Sequence, residues 1–115
     1  MNYQDGTLIR EAGTGLTFLI LDSKLSVVEN PDIIDLNGAT EVETDELEQL
    51  RQEGGPAISS DSYLAIVEGK GYLVNNGEKR YFTSEDAIRK YHFNRGKFQQ
   101  KAMSDLPQSE GGNLG

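Results

Sequence analysis

His92 is the only histidine of the chain, and it lies between Tyr91 and Phe93 near the predicted end of a helix. A histidine acts as a general base only when a nucleophile and an orienting group lie within hydrogen-bond reach, and the sequence has no motif that supplies them. The chain also has no cysteine, so the nitrogen and sulfur ligands of a zinc site are lacking. We therefore predict that the protein is not an enzyme and has no cofactor and no metal.

An acidic run could instead bind calcium, which takes oxygen ligands. The run consists of Glu41, Glu43, Asp45, Glu46 and Glu48. Its spacing differs from that of an EF-hand loop, and the glycine of the loop's turn position is absent. Strand alternation places Glu41 and Glu43 on one side of a strand and Val42 on the other. This pattern favours a solvated acidic face over a metal site.

Basic and aromatic residues are interleaved in the second half of the chain. Arginine and aromatic side chains are enriched among the dominant contacts of protein interfaces, and aromatic rings also suit sugars. The alternative is that the rings fill the core and the charges stay in water. The residues predicted to interact with a partner are Tyr72, Lys79, Arg80, Tyr81, Arg89, Lys90 and Tyr91. We expect Arg80→Glu and Arg89→Glu to weaken partner binding without unfolding the chain.

The elements that position these residues are predicted from an internal repeat. Residues 5–58 align with residues 61–114 at an offset of 56, so that Leu8 matches Leu64 and Ile58 matches Leu114. The offset is 54 where Phe18 matches Tyr72. The repeat predicts an acidic module at 1–55 and a slightly basic module at 56–115 with a Gly-rich C-terminal tail. Because modules this small are marginal alone, we expect them to share one core.

Each module is predicted to be a hairpin followed by a helix, which gives an α+β fold class. Asn76-Gly77 favours a type I′ turn, which sets Tyr72 opposite Tyr81. In the first module the residues on the equivalent side are all apolar, and we expect them to be core. They are Phe18, Ile20, Leu25 and Val27.

The helices are predicted from their caps. Asn30 with Pro31 begins the first, and Thr83 or Ser84 begins the second. Thr44 is expected to cap a further helix over 45–52. A turn near 103–106 is expected to be broken by Pro107. Composition alone predicts a flexible tail over 107–115.

Charge limits the classes of partner. The net charge is −8, which argues against nucleic acid. Residues 1–58 have 12 acidic and 3 basic residues, whereas residues 59–115 have 7 and 8. Such polarity suits head-to-tail contact between copies, or a basic partner; the alternative is drift of exposed side chains after duplication.

The apolar stretch at 16–21 is too short to cross a membrane, and residues 1–5 do not resemble a signal peptide.

The repeat resembles a module found in tandem in bacterial secreted and cell-surface proteins. Asp5-Gly6-Thr7-Leu8 matches its opening, and residues 72–82 match its Tyr-Leu-Val hairpin with a Lys-Arg turn. Residues 91–93 and Leu106-Pro107 resemble the end of its helix and its closing segment. The resemblance implies a non-catalytic accessory role without an assigned ligand. The first module departs from the pattern, because Leu25-Ser26 replaces the Lys-Arg pair.

Two functions follow as hypotheses. The first is a structural or assembly protein that binds another protein or copies of itself, with a virion or extracellular surface favoured over the cytoplasm. The second is a glycan or cell-wall binding module, which requires Tyr72, Tyr81 or Tyr91 to be exposed at a groove. Neither nucleic acid nor a membrane is expected as a partner.

Overall fold

Two four-stranded sheets form the framework of the protein, and the computed structural model describes residues 3–115. The first sheet has the order β3-β2-β1-β4. Its strands are β1 (Leu8–Glu11), β2 (Thr17–Leu21), β3 (Lys24–Val27) and β4 (Thr40–Val42). The second sheet has the order β7-β6-β5-β8. Its strands are β5 (Tyr63–Val67), β6 (Lys70–Asn75), β7 (Glu78–Tyr81) and β8 (Phe98–Gln100).

Helices connect or follow these strands, so the fold is mixed α+β, as predicted. Helix α1 (Thr44–Gln52) follows β4, and helix α2 (Glu85–Lys90) lies between β7 and β8. Single 3-10 turns span Pro31–Ile33, Arg95–Lys97 and Met103–Asp105. In each sheet three antiparallel strands come first, and the fourth pairs parallel with the first. We call residues 3–58 the first half and residues 59–115 the second half.

The turn residues set the register of both hairpins. Asn76 and Gly77 have φ of 54° and 73°, and Asp22 and Ser23 have φ of 53° and 64°. Two consecutive residues with positive φ match the twist of the flanking strands. Tyr72 pairs with Tyr81, which confirms the predicted register of the second hairpin.

The predicted caps are correct in two of three places. The Asn30 side chain accepts from the Asp32 N–H at 3.3 Å, although only a 3-10 turn follows it. Ser84 Oγ accepts from the Ala87 N–H at 3.1 Å and begins α2. Thr44 is instead the first residue of α1, and its hydroxyl donates to the Ala12 carbonyl at 3.4 Å.

The core has three parts. A central cluster joins residues of both sheets, including Leu19 of β2 and Leu73 of β6, which are both fully buried. A second cluster lies between the outer face of the first sheet and α1, where Leu47 packs against Phe18 and Ile20. The apolar side predicted for the first hairpin is therefore core, but it packs against its own helix. The opposite face of β2 contributes to the central cluster.

The third part of the core lies on the outer face of the second sheet, where Leu106 is buried among residues of β5 and β6. No α-helix covers this face in the described part of the chain. The 3-10 turn Met103–Asp105 stands in the place that α1 occupies in the first half. Met103 is 44% exposed, whereas Leu47, its counterpart in the repeat, is fully buried.

Each half closes with an extended segment on the edge of its hairpin. In the first half, the Ile58 N–H donates to the Val27 carbonyl at 2.9 Å. In the second half, the Leu114 N–H donates to the Tyr81 carbonyl at 2.8 Å. Ile58 and Leu114 are both fully buried in the central cluster. The flexible tail expected over 107–115 is therefore wrong, because the chain's own β7 binds this segment.

The halves meet through main-chain contacts as well as apolar ones. Ile34 and Phe93 form an antiparallel bridge, and the Asp35 N–H donates to the His92 carbonyl at 2.7 Å. The Asn30 side-chain amide donates to the Ser62 carbonyl at 2.9 Å. The resulting molecule measures 43 × 25 × 22 Å.

Candidate interaction surfaces

The interaction residues predicted from the sequence divide between the two faces of the second sheet. Tyr72, Lys79 and Tyr81 share the outer face, and the rings of Tyr72 and Tyr81 are 5.6 Å apart between centroids. Arg80 points to the inner face because side chains alternate along a strand. Tyr91 belongs to the central cluster. The structure therefore brings three of the seven together on one surface.

Tyrosines dominate the outer face of the second sheet. Tyr72 is buried, whereas Tyr63 and Tyr81 are half-buried and contribute to the surface. The Lys101 ammonium lies 5.6 Å from the centroid of the Tyr63 ring, within the range of a cation–π contact. With Met103 nearby in sequence, this face has the residue types that are enriched in protein interfaces.

Two of the lysines predicted to contact a partner instead bind the closing segment of the second half. Lys79 Nζ donates to the Pro107 carbonyl at 2.8 Å. Lys90 Nζ donates to the Gly115 carbonyl at 2.9 Å and lies 5.2 Å from the centroid of the Tyr91 ring. Both ammonium groups already have acceptors within the chain, so they contribute to the fold.

Arg80 joins three parts of the molecule. Its Nη1 and Nη2 atoms each donate to a carboxylate oxygen of Asp22 at 2.9 Å, and its Nε donates to the Gly112 carbonyl at 2.7 Å. The side chain is 12% exposed. Arg80→Glu would remove all three contacts, so the expectation that it leaves the fold intact does not apply. Arg89 is exposed on α2, where Asp86 is its one ion-pair partner among residues 3–115, and it remains a suitable surface probe.

Tyr91 lies where the two halves meet. It is 3% exposed, and its hydroxyl is 3.3 Å from the Gly115 carbonyl. Burial raises the pKa of its hydroxyl, and the nearby carboxylates of Asp5 and Asp22 raise it further. A negative charge on this oxygen would be poorly solvated and would face two other negative charges. The neutral phenol therefore stabilises the contact between the halves.

The sequence reasoning missed an ion pair between a buried carboxylate and an exposed arginine in the first half. Glu11 is fully buried, and its Oε1 accepts from Arg51 at 2.5 Å and from the Thr14 hydroxyl at 2.8 Å. Its Oε2 has no hydrogen-bond partner among residues 3–115. The bond from Thr14 lowers the pKa of Glu11 against the raising effect of burial, with help from Thr44 and Arg51. A signal was present, since Glu11 lies two residues after the apolar Ile9, on the same side of β1, and aligns with the apolar Val67.

Charge is divided between the two halves more sharply than the totals indicate. Residues 25–50 contain eight acidic residues and no basic one. All eight are exposed, and none has an ion pair with another residue in the described range. They are Glu29, Asp32, Asp35, Glu41, Glu43, Asp45, Glu46 and Glu48. We call these eight residues the acidic surface.

A basic strip lies in the second half. Residues 87–103 contain five basic residues and no acidic one. They are Arg89, Lys90, Arg95, Lys97 and Lys101, and we call these five the basic strip. Arg95 pairs with Glu85 at 3.1 Å. Lys97 is exposed and has no carboxylate partner among the described residues.

Two of the concave regions on the second half or at its border with the first lie next to the residues discussed above. A cavity of about 110 Å³ lies between the hairpins, next to the Asp22–Arg80 pair. A more open groove of about 420 Å³ lies between Tyr63 and the 105–107 segment. Asp61, Asn76 and Asp105 supply polar groups to this groove, which is a mixture of ring and hydrogen-bonding groups that suits a sugar.

His92 joins the two halves through its main chain. Its carbonyl accepts from Asp35, its N–H donates to Arg89, and its φ is 63°. Within residues 3–115 no three side chains of the metal-ligating types lie close enough to hold a metal ion. None of the helices in that range is long and apolar enough to cross a membrane.

Comparison with known proteins gives no relative, since the chain matches no protein-family model, no curated protein and no solved structure.

Proposed function

We propose that the protein is a non-enzymatic structural or assembly protein that binds another protein or copies of itself. The acidic surface is the observation that supports this proposal. Eight exposed carboxylates that form no ion pair within residues 3–115 repel one another, so they cost stability. A basic partner surface would offset this repulsion and speed encounter.

The architecture behind this proposal is two tandem hairpin–helix modules that share one core. Three similarities support the duplication: the strand order of the two sheets, the positive φ of both hairpin turns, and the hydrogen bonds of both closing segments. Small repeated units that bury a common core are typical of binding and assembly proteins. A virion or extracellular surface is the proposed setting. The extracellular surface is proposed on the resemblance of the repeat to modules of secreted and cell-surface proteins, and the virion on the small size and charge polarity of the chain.

Salt dependence tests the proposal directly. The chain at several concentrations is studied by sedimentation velocity at ~0.05 M and ~0.5 M salt, because this range spans weak and strong screening of exposed charges. We expect larger species at low salt that dissociate at high salt. If the chain stays monomeric at both salt concentrations, the partner is a different protein. The test is then to use the chain as bait and to compare the proteins captured by the native chain and by a variant.

The baits differ only in the acidic surface. One is the native chain and the other has Glu43, Glu46 and Glu48 replaced by Lys, all on exposed positions. Proteins cross-linked by the native bait and lost with the variant would support the proposal. Identical capture by both baits, together with a monomeric chain, would contradict it.

A glycan-binding module remains the second candidate, and the groove beside Tyr63 is the observation that favours it. Of the tyrosines first considered, Tyr72 and Tyr91 are buried and Tyr81 is half-buried. Tyr63→Ala should abolish retention on an immobilised glycan array. Tyr81→Ala is the matched control, because Tyr81 is also half-buried on this face but does not line the groove. No retention of the native chain on any glycan would exclude this candidate.

A further inference from the structure

The two sheets have four edges, and the chain covers only two of them. Residues 55–58 bond to β3, and residues 109–114 bond to β7. The other two edges are β4 and β8, and each has a single strand partner within the described chain. An open edge presents main-chain donors and acceptors that another strand can use.

The main chain of both open strands is available for pairing. The Val42 carbonyl accepts from the Ala12 N–H at 2.9 Å, and the Lys101 N–H donates to the Ile66 carbonyl at 3.0 Å. Because a parallel strand bonds to its neighbour through alternate residues, Glu41 and Gln100 direct their peptide groups away from the sheet. The β4 edge therefore presents one free pair of main-chain groups, at Glu41, and the β8 edge presents two, at Phe98 and Gln100.

The two open edges carry opposite charge. Glu41 lies in β4 and Glu43 follows it, both exposed. Lys97 precedes β8 and Lys101 follows it. Like charges disfavour pairing of two β4 edges or two β8 edges, whereas β4 and β8 attract each other. Short charged edges resist indiscriminate aggregation, and here the same charges favour one particular pairing.

The two open edges belong to different sheets of one molecule. The segments that lead to β4 and β8 form an antiparallel bridge at Ile34 and Phe93, so they leave this bridge in opposite directions. One copy can offer its β4 edge to one neighbour and its β8 edge to another.

We propose that the β4 edge of one copy pairs with the β8 edge of a second copy, which joins the two sheets across a head-to-tail contact. This inference rests on the proposed assembly function and names its partner as the same chain. The contact uses different surfaces on the two subunits, so repetition gives a closed ring or an open chain. Because each edge has three residues, the single contact is weak and reversible and depends on concentration.

Complementary charge reversal tests the pairing. Glu41→Lys and Lys97→Glu should each raise the dissociation constant of self-association by about tenfold or more at low salt, which is the effect of one lost close charge pair. An equimolar mixture of the two variants should recover association, since the reversed β4 edge of one then meets the reversed β8 edge of the other.

Matched controls lie on the covered edges. Lys24→Glu is on β3 and Glu110→Lys is on the segment that covers β7, and both make the same charge changes far from the open edges within their sheets. They should leave association within about twofold of the native value. Residue 41 lies opposite Arg10 of β1, so Glu41→Lys places two positive charges side by side. Thermal unfolding of this variant checks that the fold stays intact.

Hydrogen exchange distinguishes edge pairing from another contact. The amide protons of Glu41 and Gln100 should gain protection as concentration rises, while exposed amides of the covered edges should not. If the native chain associates in a salt-dependent way but these variants and amides are unaffected, the edge pairing is wrong and the assembly function stands. If the native chain remains monomeric at every concentration and salt, self-pairing is wrong, and the bait comparison decides the assembly function.

Discussion

The two halves of the molecule have the same strand plan but cover their outer faces differently. In the first half α1 covers the sheet with Leu47, and the exposed side of that helix is acidic. In the second half a 3-10 turn and Leu106 cover part of the sheet, and half-buried tyrosines complete the surface. The comparison shows that the outer face of a sheet with this strand order can be covered by a helix or by the aromatic side chains of the sheet itself.

The polar contacts differ in the same way. In the first half, the buried Glu11 pairs with Arg51 of its helix, whose side chain is 37% exposed. The second half has Val67 at the position of Glu11 and places its arginine, Arg80, at the border with the first half. The first half therefore uses an ion pair within itself, and the second uses one across the border between the halves.

The largest expected effect tests whether the halves share one core. Leu19→Ala and Leu73→Ala remove equivalent, fully buried side chains of the central cluster. Each should lower the free energy of unfolding by about 2–5 kcal/mol, because a cavity adds to the lost burial. Denaturant unfolding followed by circular dichroism should show one transition in both variants. Two transitions, of which each variant shifts only one, would show that the halves fold independently.

The next largest effect is expected at Arg80, which aligns with Ser26 of the first half. Arg80→Ala should lower the free energy of unfolding by about 1–3 kcal/mol, since it breaks charge-assisted bonds at a nearly buried site. Arg89→Ala is the control and should change it by less than about 0.5 kcal/mol. Urea unfolding measures both. Equal effects would mean that the Arg80 contacts contribute no more than an exposed pair.

Acid should distinguish the two halves through Glu11. Its folded pKa is lowered, so the stabilisation is present above the unfolded pKa of about 4.3 and is lost as pH falls through the folded pKa. Glu11→Val, which copies the second half, should reduce the loss of melting temperature between neutral and acidic pH. Glu11→Gln keeps the shape without the charge and should also reduce this loss. An unchanged acid dependence in both variants would contradict a role for this carboxylate.

The smallest effect is expected at high pH and involves Tyr91. Its folded pKa is raised, so its contribution is present below the unfolded pKa of about 10 and is lost as pH rises through the folded pKa. Tyr91→Phe should cost at most about 1 kcal/mol at neutral pH, from its single long hydrogen bond. The variant should lose less melting temperature than the native chain above pH ~10. A steeper alkaline loss in the variant would show that burial of this hydroxyl is not what opposes ionisation.

Turn chemistry made the hairpin of the second half predictable from the sequence. Asn76-Gly77 accepts positive φ at both positions, and this fixes the pairing of Tyr72 with Tyr81. The caps at Asn30 and Ser84 were likewise predictable, since their side chains satisfy exposed N–H groups of the first turn.

The sequence did not reveal which face of the first hairpin meets the second sheet. All five residues of β2 are buried, so alternation between polar and apolar residues gives no signal. The position of Leu114 was also unpredictable, because one apolar residue in a glycine-rich segment has no periodicity. Arg80 and Lys79 looked like surface residues because the sequence does not show which acceptors lie near them. Lys79 donates to main-chain carbonyl groups, and Arg80 donates to a carbonyl group and to the Asp22 carboxylate, 58 positions away in the chain.

The position of Leu114 has a consequence for synthesis of the chain on the ribosome. The central cluster needs this residue, and it is translated after every other member of the cluster. Until residues 109–114 emerge, the edge of β7 stays open and part of the cluster faces water. The nascent chain is therefore prone to aggregate in this interval, and slow translation of the codons for residues 109–114 would prolong the exposure.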